Sequence, residues 1–281
     1  SRAQLEDRVR DEVSTRIVSV HRGQTTLGGI NYFNKKIGDG IMLSSDGWLA
    51  MYQPQYDGNF KNIYVASADG NVYQAENALW DKYSEILYLK IKNEQFKVVG
   101  FIDENAMPDD VFVWQNSNWY HGQVLYPVLN YQLPHLDSAP IQVYSLNGVF
   151  APGEVAITSQ GRVAGFITDT NTLLPGFYIN RVLASVLGNQ VIAYPSLGID
   201  GWFSEEQALF TDIKNEIKIG EQENGFLVST VWSANNLIRK GDLLKKINGR
   251  IVTVDNLWYI IANNTEVNVT VLRSGKELEL S

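Results

Sequence analysis

The side chains that most often perform catalysis are few and scattered in this sequence. The histidines, His21, His121 and His135, are far apart, and there is no cysteine. A cysteine nucleophile, a thiolate metal site and a disulfide are therefore excluded, and we expect neither a metal centre nor a cofactor. His121 and His135 have serines and aspartates near them in the sequence, but none in a nucleophile-elbow pattern such as G-x-S-x-G. We therefore expect these two histidines to be either solvent-exposed or structural.

Length and charge limit the class of protein further. A chain of 281 residues is long enough for two domains. A net charge of −8 and a pI of about 5.0 argue against general nucleic-acid binding, which needs a basic face. No stretch approaches the 18 or so uninterrupted apolar residues that a membrane-spanning helix needs.

The pattern of apolar residues predicts a helix, a long β-rich region and a smaller mixed region. Residues 1–17 repeat apolar positions every four residues, which predicts either a surface helix packed on the body or a lever or oligomer contact. Residues 18–193 consist mainly of short strands separated by turn residues, a pattern typical of a sandwich or of barrels, and two packed barrels fit this length well. They end in a helix over Ile179–Gln190, with Asn180 as its cap and Gly188 as its stop.

Residues 194–281, which begin beside Pro195, mix strands and helices. A strand is predicted in "SLGIDGWF", followed by a short helix capped by Ser204. Further strands are predicted in "GFLVSTV", "DLLKKINGRIV" and "VNVTVLRSGKELEL", and a helix beginning at Asp255 in "VDNLWYIIAN". About 85 residues of this kind predict a compact α+β domain.

The C-terminal region resembles a PDZ domain of the HtrA (DegP-like) family. The words that carry the resemblance are "GFLV", "GDLL", "ING" and "VLRSG", in that order. The family's carboxylate-binding loop corresponds to Ser196, Leu197, Gly198 and Ile199. Successive backbone amides in such a loop bind a peptide's terminal carboxylate. Leu257 and Ile261 either line the adjoining peptide pocket or are plain core residues.

The β-rich region resembles the family's trypsin-like double β-barrel, so that the fold class is expected to be mostly β: two barrels and then the PDZ domain. "GDGIMLSSDGWLAM" matches the approach to the catalytic histidine, "SEILYLKI" the strand at the aspartate, and "IQVYSLNG" with "GRVAGF" the region around the serine. Carried over residue by residue, the three positions fall on Pro54, Glu85 and Pro152.

These replacements predict a protease fold without its catalytic residues, a pseudoprotease. A serine nucleophile needs a nearby base that a third group holds, and proline offers neither hydroxyl nor titratable nitrogen. Proline also lacks the backbone N–H that an oxyanion hole would use. No small shift of register restores the set, because no histidine lies between His21 and His121. Glu85 and Glu154 are either a carboxylate pair across the cleft or two solvated acids.

Three functions follow as hypotheses. The first is a non-catalytic scaffold, adaptor or regulator that binds a partner's C-terminus or an exposed apolar peptide. The second is a protease or other hydrolase with a relocated site, and the third is a purely architectural subunit.

The resemblance also implies an extracytoplasmic location, in the periplasm or cell envelope, and tethering by a membrane helix upstream of this chain. Active relatives are often trimers assembled through an N-terminal aromatic segment. No aromatic residue precedes Arg16, so the oligomeric state is left open.

Overall fold

The computed structural model describes most of the chain. The described residues are 5–27, 30–92, 96–103, 106–129, 135–136, 141–204, 224–232, 237–253, 256–262, 264 and 266–281. The chain divides into two compact units, Ser1–Val128 with Gln142–Ala193, and Leu129–Ile141 with Tyr194–Ser281. One boundary between the two units falls after Ala193. The sequence assigned Leu129–Ile141 to the first domain, whereas this segment clusters with the second unit because it contributes a strand to that unit's sheet.

The N-terminal helix, α1, spans Asp7–Ser14 and is shorter than predicted, because the chain becomes extended from Ile17. Its apolar side packs where Gly161 leaves room: a Cβ built there would lie 3.0 Å from both Val9 and Val13. The helix is thus packed on its own unit.

A closed barrel of six antiparallel strands forms the first half of the first unit, in the order β1-β2-β3-β6-β5-β4. Its strands are β1 (Ile17–Leu27), β2 (Ile30–Met42), β3 (Trp48–Tyr52), β4 (Ile63–Ala66), β5 (Val72–Asp81) and β6 (Ile86–Ile91). Every residue of β3 is buried. The interior is filled by aliphatic side chains such as Leu49, Leu87 and Leu89, so that the barrel is a packed core rather than a channel.

A second closed barrel follows, in the order β10-β13-β12-β11-β7-β8. Its strands are β7 (Asp110–Gln115), β8 (Asn118–Leu129), β10 (Gln142–Asn147), β11 (Val155–Ile157), β12 (Val163–Asp169) and β13 (Thr172–Pro175). The two barrels confirm the predicted mostly-β double-barrel fold. Helix α2 (Phe177–Leu187) starts three residues before the predicted Asn180 cap, because the buried rings of Phe177 and Tyr178 belong to its first turn, and it ends at Gly188 as predicted.

The second unit is built on a seven-stranded sheet, in the order β19-β18-β16-β15-β14-β9, with β17 paired to β16. Its strands are β9 (His135–Leu136), β14 (Ile199–Phe203), β15 (Phe226–Val231), β16 (Leu243–Ile247), β17 (Arg250–Ile251), β18 (Val269–Arg273) and β19 (Lys276–Leu280), and its helix is α3 (Leu257–Ala262). The helix predicted after Ser204 and the start predicted at Asp255 lie outside the described residues. Within the described part of the chain, no helix is both long and apolar enough to span a membrane.

Candidate functional site

Pro54, at the predicted histidine position, is exposed in a turn directly after β3. The backbone of the preceding residue is held from two sides: the Gln53 N–H donates to the Glu85 carbonyl at 2.8 Å, and the Trp80 indole N–H donates to the Gln53 carbonyl at 3.1 Å. The backbone before this position is therefore fixed by hydrogen bonds, and the position itself presents a pyrrolidine ring.

Glu85, at the predicted aspartate position, has a hydrogen-bond partner for its carboxylate, the Tyr52 hydroxyl. It closes the turn between β5 and β6 in the left-handed region, with φ 58°, which is uncommon for a residue with a side chain. Its Oε2 accepts a hydrogen bond from the Tyr52 hydroxyl at 2.6 Å. Burial first, and then this carboxylate, raise the pKa of Tyr52 well above its ordinary value. The structure thus brings Glu85 to the end of β3, beside the Pro54 turn, and gives it a phenol to bind.

Pro152, at the predicted serine position, lies exposed in the turn before β11. The neighbouring amides are engaged inside the fold: the Phe150 N–H donates to the Thr170 carbonyl and the Gly153 N–H to the Ile167 carbonyl, both at 2.7 Å. The Glu154 N–H donates to the Ala151 carbonyl at 3.4 Å. An oxyanion hole needs convergent amides aimed at a ligand, and these three amides are directed at carbonyls of the barrel.

Glu154 corrects the expectation of a pair with Glu85 or of a solvated acid, because it is only 8% exposed and pairs with Asp39 of β2. Burial, and next the hydrogen bond and charge of Asp39, raise the pKa of Glu154 to about 8. Asp39 is itself 2% exposed and accepts from the Lys36 ammonium at 2.8 Å. The Asp39 N–H also donates to the Gly153 carbonyl at 3.4 Å.

This carboxyl pair ties the turn at residue 152 to the first barrel. The pair was missed from the sequence because acidic side chains are usually exposed, and nothing in the sequence around Asp39 or Glu154 indicates that both are buried.

Two of the histidines, His121 and His21, make contacts within the first unit's strands. His121 Nε2 lies 2.6 Å from Asp110 Oδ1, and its ring meets Phe112 edge-on, so the histidine joins β8 to β7. Ser117 lies in the turn at the end of this hairpin, four residues before His121. At about 3.3 Å per residue, the distance between Ser117 and His121 along the strand is roughly 13 Å. The ring of His21 stacks on Phe33 at 4.2 Å, and burial and Lys36 lower its pKa. Among the described residues, no group of three or more acids and histidines could hold a metal ion.

The predicted carboxylate loop lies in the second unit, immediately before β14. Gly198 adopts φ 76°, which favours glycine, and its carbonyl accepts from the Trp232 N–H at 2.7 Å. Its own N–H, one of the successive loop amides predicted to bind a carboxylate, donates to the Ser196 hydroxyl at 2.8 Å. Leu197 is partly buried against the unit's core, and Ile199 is fully buried. The loop therefore has the predicted turn, with one donor engaged internally.

Leu257 and Ile261, the weak pocket candidates, lie in the core of the second unit with exposures of 0% and 4%. They pack in the same cluster as Ile199, Phe226 and Val271. Of the two alternatives for these residues, the core role is the one that their burial supports.

Comparison with known proteins identifies which solved structures share the fold of this chain. No protein-family model matches the sequence, and no curated protein matches it. The chain is similar to the solved structure of the HtrA-type protease AlgW with a decapeptide: 12% identity, TM-score 0.70, 96% of this chain and 95% of that one. The chain is also similar to the structure of AlgW with a tripeptide, with 15% identity and a TM-score of 0.65 over 96% of this chain and 93% of that one. A third similar structure is a serine endoprotease from Yersinia pestis, with 15% identity and a TM-score of 0.57 over 99% of this chain and 96% of that one. The chain therefore has the double-barrel fold of HtrA-type proteases.

Proposed function

We propose that this chain is a non-catalytic relative of the HtrA-type proteases that works as a peptide-binding scaffold, adaptor or regulator. Its second unit would be a PDZ domain that binds an extended segment, through a partner's C-terminus or an apolar stretch. In line with the sequence, the proposal includes no cofactor and no nucleic-acid partner. The resemblance to this family adds an extracytoplasmic site of action, which fractionation of the native cells would test.

The observation that carries the proposal is the turn around Pro152. A proline stands at the nucleophile position, and the Phe150, Gly153 and Glu154 amides beside it donate to internal carbonyls. The buried carboxyls of Glu154 and Asp39 fasten the same turn to β2. A turn used in this way serves the packing of two barrels, and it offers neither a nucleophile nor an anion-binding pair of amides.

The peptide-binding part is supported by the loop and strand of the second unit. PDZ domains bind peptides by adding a strand to a sheet edge, with the peptide carboxylate in a loop of backbone amides. The loop at Ser196–Ile199 leads directly into β14, which is the arrangement that this mode requires. Two of the similar structures were solved with a decapeptide and a tripeptide.

Two measurements test the proposal. The first is binding of a library of C-terminal decapeptides to wild type and to Leu197→Glu, with Ile251→Glu as the charge-matched control at a 59% exposed position of the same unit. Loss of binding in Leu197→Glu alone is expected, while equal binding in all three proteins would contradict the PDZ assignment. The second is labelling by a fluorophosphonate probe together with casein digestion. Activity above a heat-inactivated sample would contradict the non-catalytic assignment.

A further inference from the structure

The strand that follows the carboxylate loop has neighbours on both sides. On one side β14 pairs with β15, from Ile199 opposite Val231 to Phe203 opposite Phe226. On the other side it pairs antiparallel with β9, with Asp200 opposite Leu136 and Gly201 opposite His135. The edge that strand addition would use is therefore taken by a segment of the chain itself.

The direction of β9 is that of a C-terminal peptide ligand. A peptide whose carboxylate enters the loop at Ser196–Ile199 runs antiparallel to β14, with earlier peptide residues beside later residues of β14. The β9 pairing has the same order, since Leu136 lies nearer the loop than His135. In this register, β9 and a C-terminal peptide would need the same backbone groups of β14.

The pairing of β9 is short. It consists of two residue pairs, whereas β14 and β15 share five. In the sequence, Pro134 and Pro140 flank the segment, and proline cannot donate to a strand ladder. The segment also continues into the next residues of the chain and so has no terminal carboxylate to place in the loop. A free C-terminal peptide offers both a longer ladder and a carboxylate.

We propose that the edge of β14 is a strand-binding site occupied by its own chain at His135–Leu136, and that a C-terminal peptide binds by displacing this segment. The inference rests on the proposed peptide-binding function, and it adds what regulates that function. Apparent affinity is lowered by the fraction of molecules in which the edge is occupied. β9 belongs to the polypeptide that joins β8 to β10. Peptide binding would therefore release this connecting polypeptide from β14.

The test uses the full chain and a matched pair of variants. Successive backbone groups of a strand face opposite edges, and the Gly198 carbonyl, in phase with Asp200, accepts from Trp232 on the β15 side, so Gly201 faces β9. His135→Pro therefore removes the β9 backbone N–H opposite Gly201, whereas His135→Ala keeps it and controls for the side chain. Hydrogen exchange of the Gly201 amide reports the pairing without any peptide. Binding of the C-terminal decapeptide library, by fluorescence anisotropy, reports the competition.

We expect faster exchange at the Gly201 amide in His135→Pro than in His135→Ala, and a gain in peptide affinity of about 5- to 30-fold, the range for losing one or two competing hydrogen bonds. Identical exchange in the two variants would overturn the occupied edge. Faster exchange with unchanged affinity would overturn the competition. Absence of any peptide binding by all the proteins would reject the proposed function, and the competition with it.

A second variant guards against misfolding of the proline variant. Residues 131–139 are replaced by a glycine–serine segment of the same length, which preserves the covalent path. A synthetic peptide of residues 129–141 should then restore protection at the Gly201 amide and should compete with the decapeptides. Failure of that peptide to protect the β14 amides would count against the inference.

Discussion

Glu154→Gln should remove most of the loss of stability that the wild-type protein shows between mildly acidic and mildly alkaline pH. In the folded protein the pKa of Glu154 is raised from 4.5 to about 8, through burial and the adjoining Asp39 carboxyl. A proton bound more tightly in the folded state stabilises it, fully below pH 4.5, and this stabilisation is lost as pH rises through 8. Glutamine keeps the shape and offers an N–H to Asp39 at every pH.

The magnitude follows from the size of the pKa change. At about 1.4 kcal/mol per unit, the ceiling is about 5 kcal/mol of unfolding free energy between the two pKa values. The Lys36 ammonium, 2.8 Å from Asp39, and residual solvent reduce the effect. We therefore expect the variant to gain about 2 kcal/mol over wild type between pH 4.5 and 8.5.

The assay is urea unfolding of both proteins at pH 4.5, 5.5, 6.5, 7.5 and 8.5 (roughly one-unit steps across the titration of Glu154), followed by tryptophan fluorescence. The quantity that is interpreted is the difference in unfolding free energy between variant and wild type at each pH. The contributions of the titrating groups that both proteins share cancel in this difference. Glu76→Gln, at an exposed position of β5, is the matched control and should give a flat difference. A flat difference for Glu154→Gln as well would refute the protonated carboxyl pair.

Three further outcomes test other contacts. Ser196→Ala frees the Gly198 N–H from its 2.8 Å bond, so C-terminal peptides should bind about 2- to 10-fold more tightly by anisotropy, and amidated peptides should not. Asp242→Asn should destabilise the second unit by about 3 kcal/mol in urea unfolding, because Asp242 is 1% exposed and accepts two 2.7 Å bonds from Arg273; an unchanged midpoint would contradict the buried clamp. Tyr52→Phe should not change the ultraviolet phenol titration near pH 10, because the pKa of Tyr52 is raised well above that range; a smaller titration amplitude would contradict the buried pair with Glu85.

The strands could be predicted from the sequence because apolar periodicity and turn residues reflect the packing of barrels directly. The pattern is clear at β3 and β6, which are runs of mainly apolar residues whose side chains are nearly all buried. The position of Pro54 at the end of β3 was available for the same reason.

The carboxyl pair and β9 could not be predicted, for different physical reasons. Acidic side chains are usually exposed, and nothing in the letters of Asp39 and Glu154 indicates that folding will bury both. A two-residue strand between prolines has no periodicity, and its partner β14 is more than sixty residues away. Leu257 and Ile261 show a third limit, since a buried apolar pattern is the same for a pocket wall and for a core.

The division of the second unit into two stretches of sequence has a consequence for cleaved protein. A single proteolytic cut near Tyr194–Pro195 would leave the first fragment with the strand that completes the other fragment's sheet. The two pieces would then be complementing fragments, and their comigration on a native gel would report an association to which β9 contributes. The same cut in His135→Pro should weaken that association, so that limited proteolysis would report the contribution of the β9 pairing.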